Sequence, residues 1–398
     1  MKYIPLPDVL WFQEGPGVRN YQYTTEGVKL INVTNLTELG ILDLSLTSRY
    51  IAEEEAYGKY KHFLCADGDL VIASSGVTYE SIDKKIAFIR ECDLPLCMNT
   101  SVIRFRSIND NFDINFAYWF FKSNSFKNQI SKLMTGIAQL NFGPSHLKKI
   151  IIPSYSLEKQ KDIINVLNQI KYEIYKNENT LEMFDELVKS RFIEMFGDPV
   201  TNSKELDMKP LEQLGVLKRG TSKHRPRNDV ILLNGPYPLI QTGDVSNADT
   251  YINSYTSTYS EEGLKQSKMW NKGTLCITIA ANIAQTAILN FDACFPDSVV
   301  GFIPNEKVTT LFIHNWFKFL QPILEENAPA VAQKNLNVAD LGKTLVIIPS
   351  MDMQIQFESF IKQIDKSKFI CHSRYFLCEI LTFMSSTIAY SNVVSIFE

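Results

Sequence analysis

The sequence predicts an α+β fold: two tandem domains, each followed by a long helix, the two helices pairing as an antiparallel coiled coil with pseudo-two-fold symmetry. Three observations carry that expectation: an internal repeat at constant separation, strand-like runs followed by an aromatic helix in each copy, and a heptad seam after the first copy. They divide the chain into domains at 1–155 and 201–349 and helical segments at 156–200 and 350–398.

The repeat is readable without any other sequence. Gln139, Asn141, Leu147, Ser156 and Gln160 recur as Gln333, Asn335, Leu341, Ser350 and Gln354, at a constant separation of 194 residues (139 to 333, 160 to 354). Upstream the register drifts through loops of unequal length. Leu30-Ile31-Asn32 answers Leu239-Ile240-Gln241, Gly68 to Ile72 answers Gly273 to Ile277, and Cys97 and Ser101-Val102 answer Cys294 and Ser298-Val299. A repeated scaffold with unlike loops is the pattern.

Within each copy, runs rich in Val, Ile, Tyr and Thr punctuated by Gly, Asn and Asp read as strands: Leu70 to Ala73, Ile86 to Ile89 and Val102 to Phe105, then Leu275 to Ile279 and Val299 to Ile303. Aromatic stretches from Phe116 to Ile130 and from Leu311 to Leu324 follow and read as core helices, because large apolar side chains gain most from burial.

Ile163, Leu167, Ile170, Ile174, Asn177, Leu181, Phe184, Val188, Arg191 and Met195 alternate steps of four and three, which is a heptad seam. Ser156 suits the N-cap and Glu158 the positive first turn; Gly197-Asp198-Pro199 ends the helix after about forty residues, ~60 Å. Its stripe requires a partner, and the second helix offers Phe357, Ile361 and Ile364 at equivalent positions before the seam degrades through Lys368, Cys371 and Tyr375. Beyond these, Phe376, Leu377, Ile380, Leu381, Phe383 and Met384 form a broader apolar face. That face suits either another subunit or a fold-back onto its own domain; periodicity does not separate the two.

Composition bounds the function. With 398 residues, 45% hydrophobic and 21% charged, the chain has material for two to three soluble domains. A net charge of −4 excludes a uniformly basic nucleic-acid binder, so any DNA contact must come from local clusters. Seven scattered cysteines lack zinc-ribbon spacing and read as reduced, buried thiols. The five histidines, His62, His146, His224, His314 and His372, form no local ligand pair, so no metal is expected. With neither a signal-like start nor a run of ~20 apolar residues, a cytoplasmic location without membrane association is expected.

No complete catalytic motif is visible. Gly342-Lys343-Thr344 resembles the end of a phosphate loop, but Asn337 stands where its first Gly belongs. Asn234-Gly235-Pro236-Tyr237 has Gly where an amino-methyltransferase motif has Pro, and Pro296-Asp297 lacks the following acidic-x-Lys of a nuclease.

Three features, each present in order in the repeat, carry a resemblance. They are Tyr237-Pro238-Leu239-Ile240-Gln241-Thr242-Gly243-Asp244-Val245; the loops Ala138-Gln139-Leu140-Asn141 and Ala332-Gln333-Lys334-Asn335; and Leu157-Glu158-Lys159-Gln160 leading into a helix that closes on Phe196-Gly197-Asp198-Pro199. Over its whole length the chain resembles the DNA-specificity subunit of type I restriction–modification enzymes. The first domain departs from the pattern, with Asn32-Val33-Thr34-Asn35 in place of Gln241-Thr242-Gly243-Asp244. The resemblance implies two target-recognition domains reading a split site in double-stranded DNA, with no catalysis in this chain. It implies two methyltransferase subunits and restriction/translocase subunits as partners, and S-adenosylmethionine, ATP and Mg bound by those partners, with no cofactor here.

The strongest DNA-binding signal is the segment Lys218-Arg219-Gly220-Thr221-Ser222-Lys223-His224-Arg225-Pro226-Arg227. Five cations in ten residues, kept irregular by Gly and Pro, suit a phosphate-gripping loop; a solvated charged loop is the alternative. In the first domain Arg19, Asn20, Tyr21 and Gln22 offer side chains able to read base edges. Gln139, Asn141, Gln333 and Asn335 have adenine-reading chemistry, yet residues common to both copies cannot distinguish two half-sites, so loop bracing or phosphate contact is the expectation. Lys59-Tyr60-Lys61-His62 is a further candidate phosphate contact or a solvated surface. Two other readings stay open: a coiled-coil interaction scaffold without DNA contact, and a chain with its own unrecognised nuclease or methyltransferase site.

Overall fold

The structure, a computed structural model, describes residues 2–38, 40–46, 48–133, 140–280, 283–326 and 336–387, without side-chain detail at 140, 326 and 375–387. It is α+β, and the chain divides into two compact units: Met1–Glu178 with the residues from His372 onward, and Asn179–Cys371.

Both units are built on one topology. In the first, strand Leu10–Glu14 lies at the edge of a four-stranded sheet, followed in space by Val102–Ser107, Leu70–Ala73 and Ile86–Phe88. In the second the order is Gly215–Arg219, Val299–Pro304, Leu275–Thr278 and Thr286–Leu289, with Tyr251–Ile252 added at the far edge. The register repeats as well as the order: Leu70 faces Phe105 and Val71 faces Arg104, as Leu275 faces Phe302 and Cys276 faces Gly301. A second four-stranded sheet in each unit contains one parallel pairing, Leu30 with Cys97 and Leu239 with Cys294.

The expected aromatic helix of the first unit is two helices, Ile114–Lys122 and Asn124–Lys132. Ser123 divides them: its extended backbone and a side-chain oxygen that accepts from the Phe126 amide at 3.3 Å start a new helix. The counterpart, Thr310–Glu326, runs unbroken even through Pro322. Phe116, Phe120, Phe121, Phe126, Phe312 and Phe317 are fully buried. Of the six cysteines whose side chains are described five are buried and none is bonded to another; Cys92 is exposed, contrary to expectation, because it sits on the tight turn Glu91–Asp93.

The first long helix runs Leu157–Phe196, where Gly197 takes a φ of +78°, and the second runs Met351–Thr387. Both begin alike. The Ser156 and Ser350 hydroxyls accept from the amides of Lys159 and Met353, three residues on. Four residues after each serine, a buried glutamine makes three bonds. Gln160 accepts from the Asp113 amide at 2.9 Å and donates to the carbonyls of Asn111 at 3.1 Å and Tyr155 at 3.0 Å. Gln354 accepts from Thr309 at 2.9 Å and donates to Lys307 and Pro349, both at 3.0 Å. Each amide thus ties the helix start to the loop that opens the aromatic helix.

Burial follows the seam with one shift. Ile163, Leu167, Ile170, Asn177 and Val188 are buried; Ile174, Leu181 and Phe184 are half-buried. Ile163 and Leu167 belong to the first domain's own core, so at that end the domain itself covers the stripe. Near the other end the buried positions become Val188, Phe192, Met195 and Phe196, in one core with Phe312, Phe357, Ile361 and Ile364. Arg191, expected on the seam, is half-buried with its guanidinium 5.9 Å from the Phe360 ring, while Phe192 packs on Phe312, Phe319 and Phe357. Helix Thr310–Glu326 covers this end from the side, which widens the buried arc. The second seam does not degrade at Lys368 and Cys371: both are buried. The side chains of Tyr375 and of the apolar residues from Phe376 to Met384 are outside what the structure describes. No helix among the described residues is long and apolar enough to cross a membrane.

Lys368 is held by Asp185 at 2.7 Å and Asp249 at 2.9 Å. Burial opposes its charge, but those two bonds outweigh it and raise its pKa. Burial likewise works against the Asp249 carboxylate, yet Lys368 and Lys318 hold it below the usual range. The network borders a cavity of about 320 Å³ lined by Asp185, Phe192, Asp249, Thr286, His314 and Lys318, among others. His314 sits 3.0 Å from the Thr286 hydroxyl, and burial, aided by the Lys318 charge, pushes its pKa down to about 3.

Gln160→Ala or Gln354→Ala removes the partners of three backbone groups, most of them part-buried, and should lower unfolding free energy by about 1–3 kcal/mol in denaturant titrations; an unchanged midpoint would mean water replaces the amide without loss. His314 is neutral when folded and takes a proton below pH about 6.5 when unfolded, so the unfolded state gains stability as pH falls. Wild type should therefore lose about 1–2 kcal/mol more than His314→Asn between pH 7 and pH 5, read by urea midpoints of the second unit; parallel losses would contradict this.

Candidate nucleic-acid interface

In the second unit the basic segment starts on an edge strand and leaves it as a braced loop. Lys218 and Arg219 are exposed on Gly215–Arg219. The chain then turns at Gly220, where a Cβ would lie 2.3 Å from the Phe295 carbonyl, so only glycine permits the approach. Gly220 and Thr221 donate to the carbonyls of Val299 and Phe295. The amides of Lys223 and His224 both donate to the Gln266 side-chain oxygen, at 2.6 and 3.1 Å. Arg225 donates to the Ser222 and His224 carbonyls, and with Arg227 it faces Asp297 at 3.6 and 2.6 Å.

That geometry divides the five cations. Asp297 offsets part of the charge of Arg225 and Arg227, although both remain about half exposed. Among the described residues no carboxylate lies within ion-pair distance of Lys218, Arg219 or Lys223. These three carry the uncompensated field, and Thr221 lies half-buried between them.

In the first unit Arg19, Asn20 and Tyr21 are exposed on the turn Asn20–Gln22. Gln22 is not free to read a base. Its carbonyl oxygen accepts from the Arg19 amide at 3.0 Å, and its nitrogen donates to Glu55 at 3.1 Å and to the Tyr60 hydroxyl at 3.0 Å. It braces the turn that carries the other three. Lys59 lies 4.9 Å from the Tyr60 ring, next to that brace.

Asn141 is exposed on a two-residue strand paired with Ser75–Val77. Gln139, Gln333 and Asn335 lie outside the described residues.

Sequence reasoning missed a basic cluster around Asp69. This buried carboxylate pairs with Arg104 at 3.2 Å and with Arg106, while both guanidiniums lie over the half-exposed Trp11 ring, at 5.2 and 5.6 Å. The alternation Arg104-Phe105-Arg106 within a strand was the available signal. Arg104 points inward, where it also donates to Gln13 and the carbonyls of His62 and Leu64, whereas Arg106 stays about half exposed.

The motif-like segments have structural roles. Gly342 faces the Glu212 carboxylate, whose oxygen would be 3.0 Å from an added Cβ, the wrong charge for a phosphate cradle. Asn234 to Tyr237 lie within strand Leu233–Leu239, and Asp297 is engaged by Arg225 and Arg227.

Comparison with known proteins places this arrangement. The model of the type I restriction modification DNA specificity domain matches twice, over residues 19–183 and 204–374. The chain is 26% identical over 167 residues to the type I restriction enzyme MjaVIII specificity subunit of Methanocaldococcus jannaschii, a match covering 42% of this chain and 38% of that protein. It is 21% identical over 307 residues to the EcoBI specificity subunit of Escherichia coli, covering 69% of this chain and 63% of that one. These matches therefore span less than two thirds of either relative. In fold it is similar to the S subunit of a type I restriction-modification system from M. genitalium, with a TM-score of 0.56, 14% identity and coverage of 97% and 94% of the two chains. With two family matches that together span most of its length, the chain belongs to the type I restriction modification DNA specificity domain family.

Proposed function

We propose that this chain is the non-catalytic DNA-reading subunit of a type I restriction–modification enzyme, recognising a bipartite site in duplex DNA from the cytoplasm. Its target-recognition domains occupy 1–155 and 201–349, and the segments 156–200 and 350–398 are spacers. The observation that carries this reading is one scaffold, repeated to the register of its strands, bearing unlike surface loops around a basic segment. Shared architecture with different loops is what two half-sites demand. Two methyltransferase subunits and restriction/translocase subunits are its partners; they bind S-adenosylmethionine, ATP and Mg, and this chain binds none of these.

The spacers pair as an antiparallel coiled coil, and the domains are related by a pseudo-two-fold axis. Support comes from contacts in which numbering falls along one helix as it rises along the other: Phe196 on Phe357, Arg191 on Phe360, Asp185 on Lys368. Such pairing measures the gap between half-sites. Lys218, Arg219, Thr221, Lys223, Arg225 and Arg227 grip phosphates in one half, and Arg19, Asn20 and Tyr21 face DNA in the other. Gln139, Asn141, Gln333 and Asn335 brace loops or touch the backbone.

Adenine methylation mapped in cells carrying the complete system should reveal one split motif, lost when this chain is deleted; methylation that survives deletion would contradict the proposal. Binding to a duplex should also be salt-dependent. Replacing Lys218, Arg219 and Lys223 with Gln should lower the log–log salt slope by ~0.9 for each phosphate no longer neutralised. Asp297→Asn should strengthen binding to every sequence by releasing Arg225 and Arg227. A slope unmoved by the triple replacement would make the segment a solvated loop.

The spacer role has its own test. One heptad inserted after Asn177 and one after Cys371 keeps both seams in register and leaves Lys368 with Asp185 and Asp249. Each adds ~10.5 Å, roughly three base pairs. The preferred gap should lengthen by about that amount while the bases read at both ends stay the same. Altered bases at an unchanged gap would make the helices readers.

A further inference from the structure

In each unit, the chain leaves the edge strand of the first sheet and makes one short turn before entering the second sheet. These turns are Asn20–Gln22 and Val230–Leu232. Each turn presents large apolar side chains to solvent. Tyr21 is 87% exposed, Val230 77% and Ile231 60%.

Neither turn is loose. Asp229 accepts from the Ile231 amide at 3.1 Å, and its other oxygen lies 3.0 Å from the His224 ring, which joins the tip to the basic loop. That amide bond, aided by His224, holds the Asp229 carboxyl below its usual range. Ser260 donates to the Ile231 carbonyl from its hydroxyl and to the Leu232 carbonyl from its amide, while the Leu232 side chain is buried. In the first unit Gln22 performs the bracing through Glu55 and Tyr60.

Cations accompany both tips: Lys223, Arg225 and Arg227 precede one closely in the chain, and Arg19 precedes the other, with Lys59 within electrostatic reach of Tyr21. A duplex offers phosphates and sugars along its backbone; its apolar surface, the thymine methyls and base faces, is reached through the grooves. Cations that hold phosphates on the walls of a groove would aim an apolar tip at its floor. The chemistry of the tips also differs between units, aromatic in one and β-branched aliphatic in the other, on turns that occupy the same place in the chain path. A position that differs between the copies can discriminate two half-sites, as a residue present in both copies cannot.

We propose that Tyr21 in the first domain and Val230 with Ile231 in the second are base-contacting specificity residues, each reading its own half-site through apolar contact. The proposal rests on the DNA-reading function and adds which side chains enter the groove.

The test uses the full chain with its methyltransferase partner, bound to a library of duplexes with randomised positions and sequenced after enrichment. Val230→Ser/Ile231→Ser should weaken base preference in one half-site by about tenfold or more, leaving the other intact. Tyr21→Ser should do the reverse. The salt slope on one fixed random-sequence duplex and the thermal midpoint should match wild type in both variants, because no charge and no buried group is removed. Val230→Ile should retain preference, which separates apolar contact from a folding defect. Preferences unchanged in both half-sites, or a uniform loss over all sequences, would overturn the proposal. A wild-type complex that enriches no sequence would instead remove the DNA-reading function itself.

Discussion

The side-chain amides of Gln160 and Gln354 fix each domain to the helix that follows it, and the aim of every surface loop depends on that attachment. Each amide uses both ends, one oxygen and one nitrogen, on backbone groups from two different segments. Buried and fully satisfied, such a group contributes modestly while intact and costs much more when partly broken, so the joint has one geometry and no half-formed alternative. Under the proposed function, a domain that reads DNA from the end of a spacer needs this property more than it needs raw stability. A joint free to swing would let the same loop meet many registers of the helix.

Between these fixed points the two cores are packed by different means. Where the first unit places Arg104 opposite Val71, with Asp69 as counter-charge and small Cys65 nearby, the second has Gly301, Thr274 and Trp270. An added Cβ at Gly301 would lie 2.6 Å from the Trp270 ring, which stacks on Phe295 at 4.8 Å. The indole takes the room that the guanidinium uses in the other copy. Either set is complete in itself: a buried charge with its partners, or an aromatic with a glycine to admit it. Exchanging one member alone leaves an unpaired charge or a clash, which explains how the halves keep one fold while sharing little sequence.

Much of this architecture was legible in the chain. The constant spacing from Gln139 to Gln160 and from Gln333 to Gln354 exposed the duplication, and apolar periodicity located both long helices, because burial of one stripe imposes a period on the sequence. The meaning of individual polar residues was not legible. Gln160 was visible as a repeated letter, but its role depends on carbonyls that only folding brings together. Gln22 has the chemistry of a base reader and is consumed by Glu55 and Tyr60; Asp297 looked like a broken nuclease motif and anchors two arginines. Lys368 looked like a fault in a seam, since an apolar pattern cannot announce two carboxylates waiting opposite.

Lys368 also bears on how the two domains of this chain can be interchanged. At the equivalent place in the first helix stands Ile174, and the first domain meets its own helix with Tyr118, whose hydroxyl accepts from Lys171 at 3.1 Å, where the second domain has His314. A second domain grafted ahead of the first helix would carry Asp249 to a position that offers an isoleucine, leaving the half-buried carboxylate with only the more distant Lys318 ammonium, 3.8 Å away. The reverse graft would leave Lys368 with Asp185 but without Asp249, short of one of its two anions. Interchange between the two sites therefore has a junction code written in a few residues, and a chimera that moves the helix position together with its domain respects it.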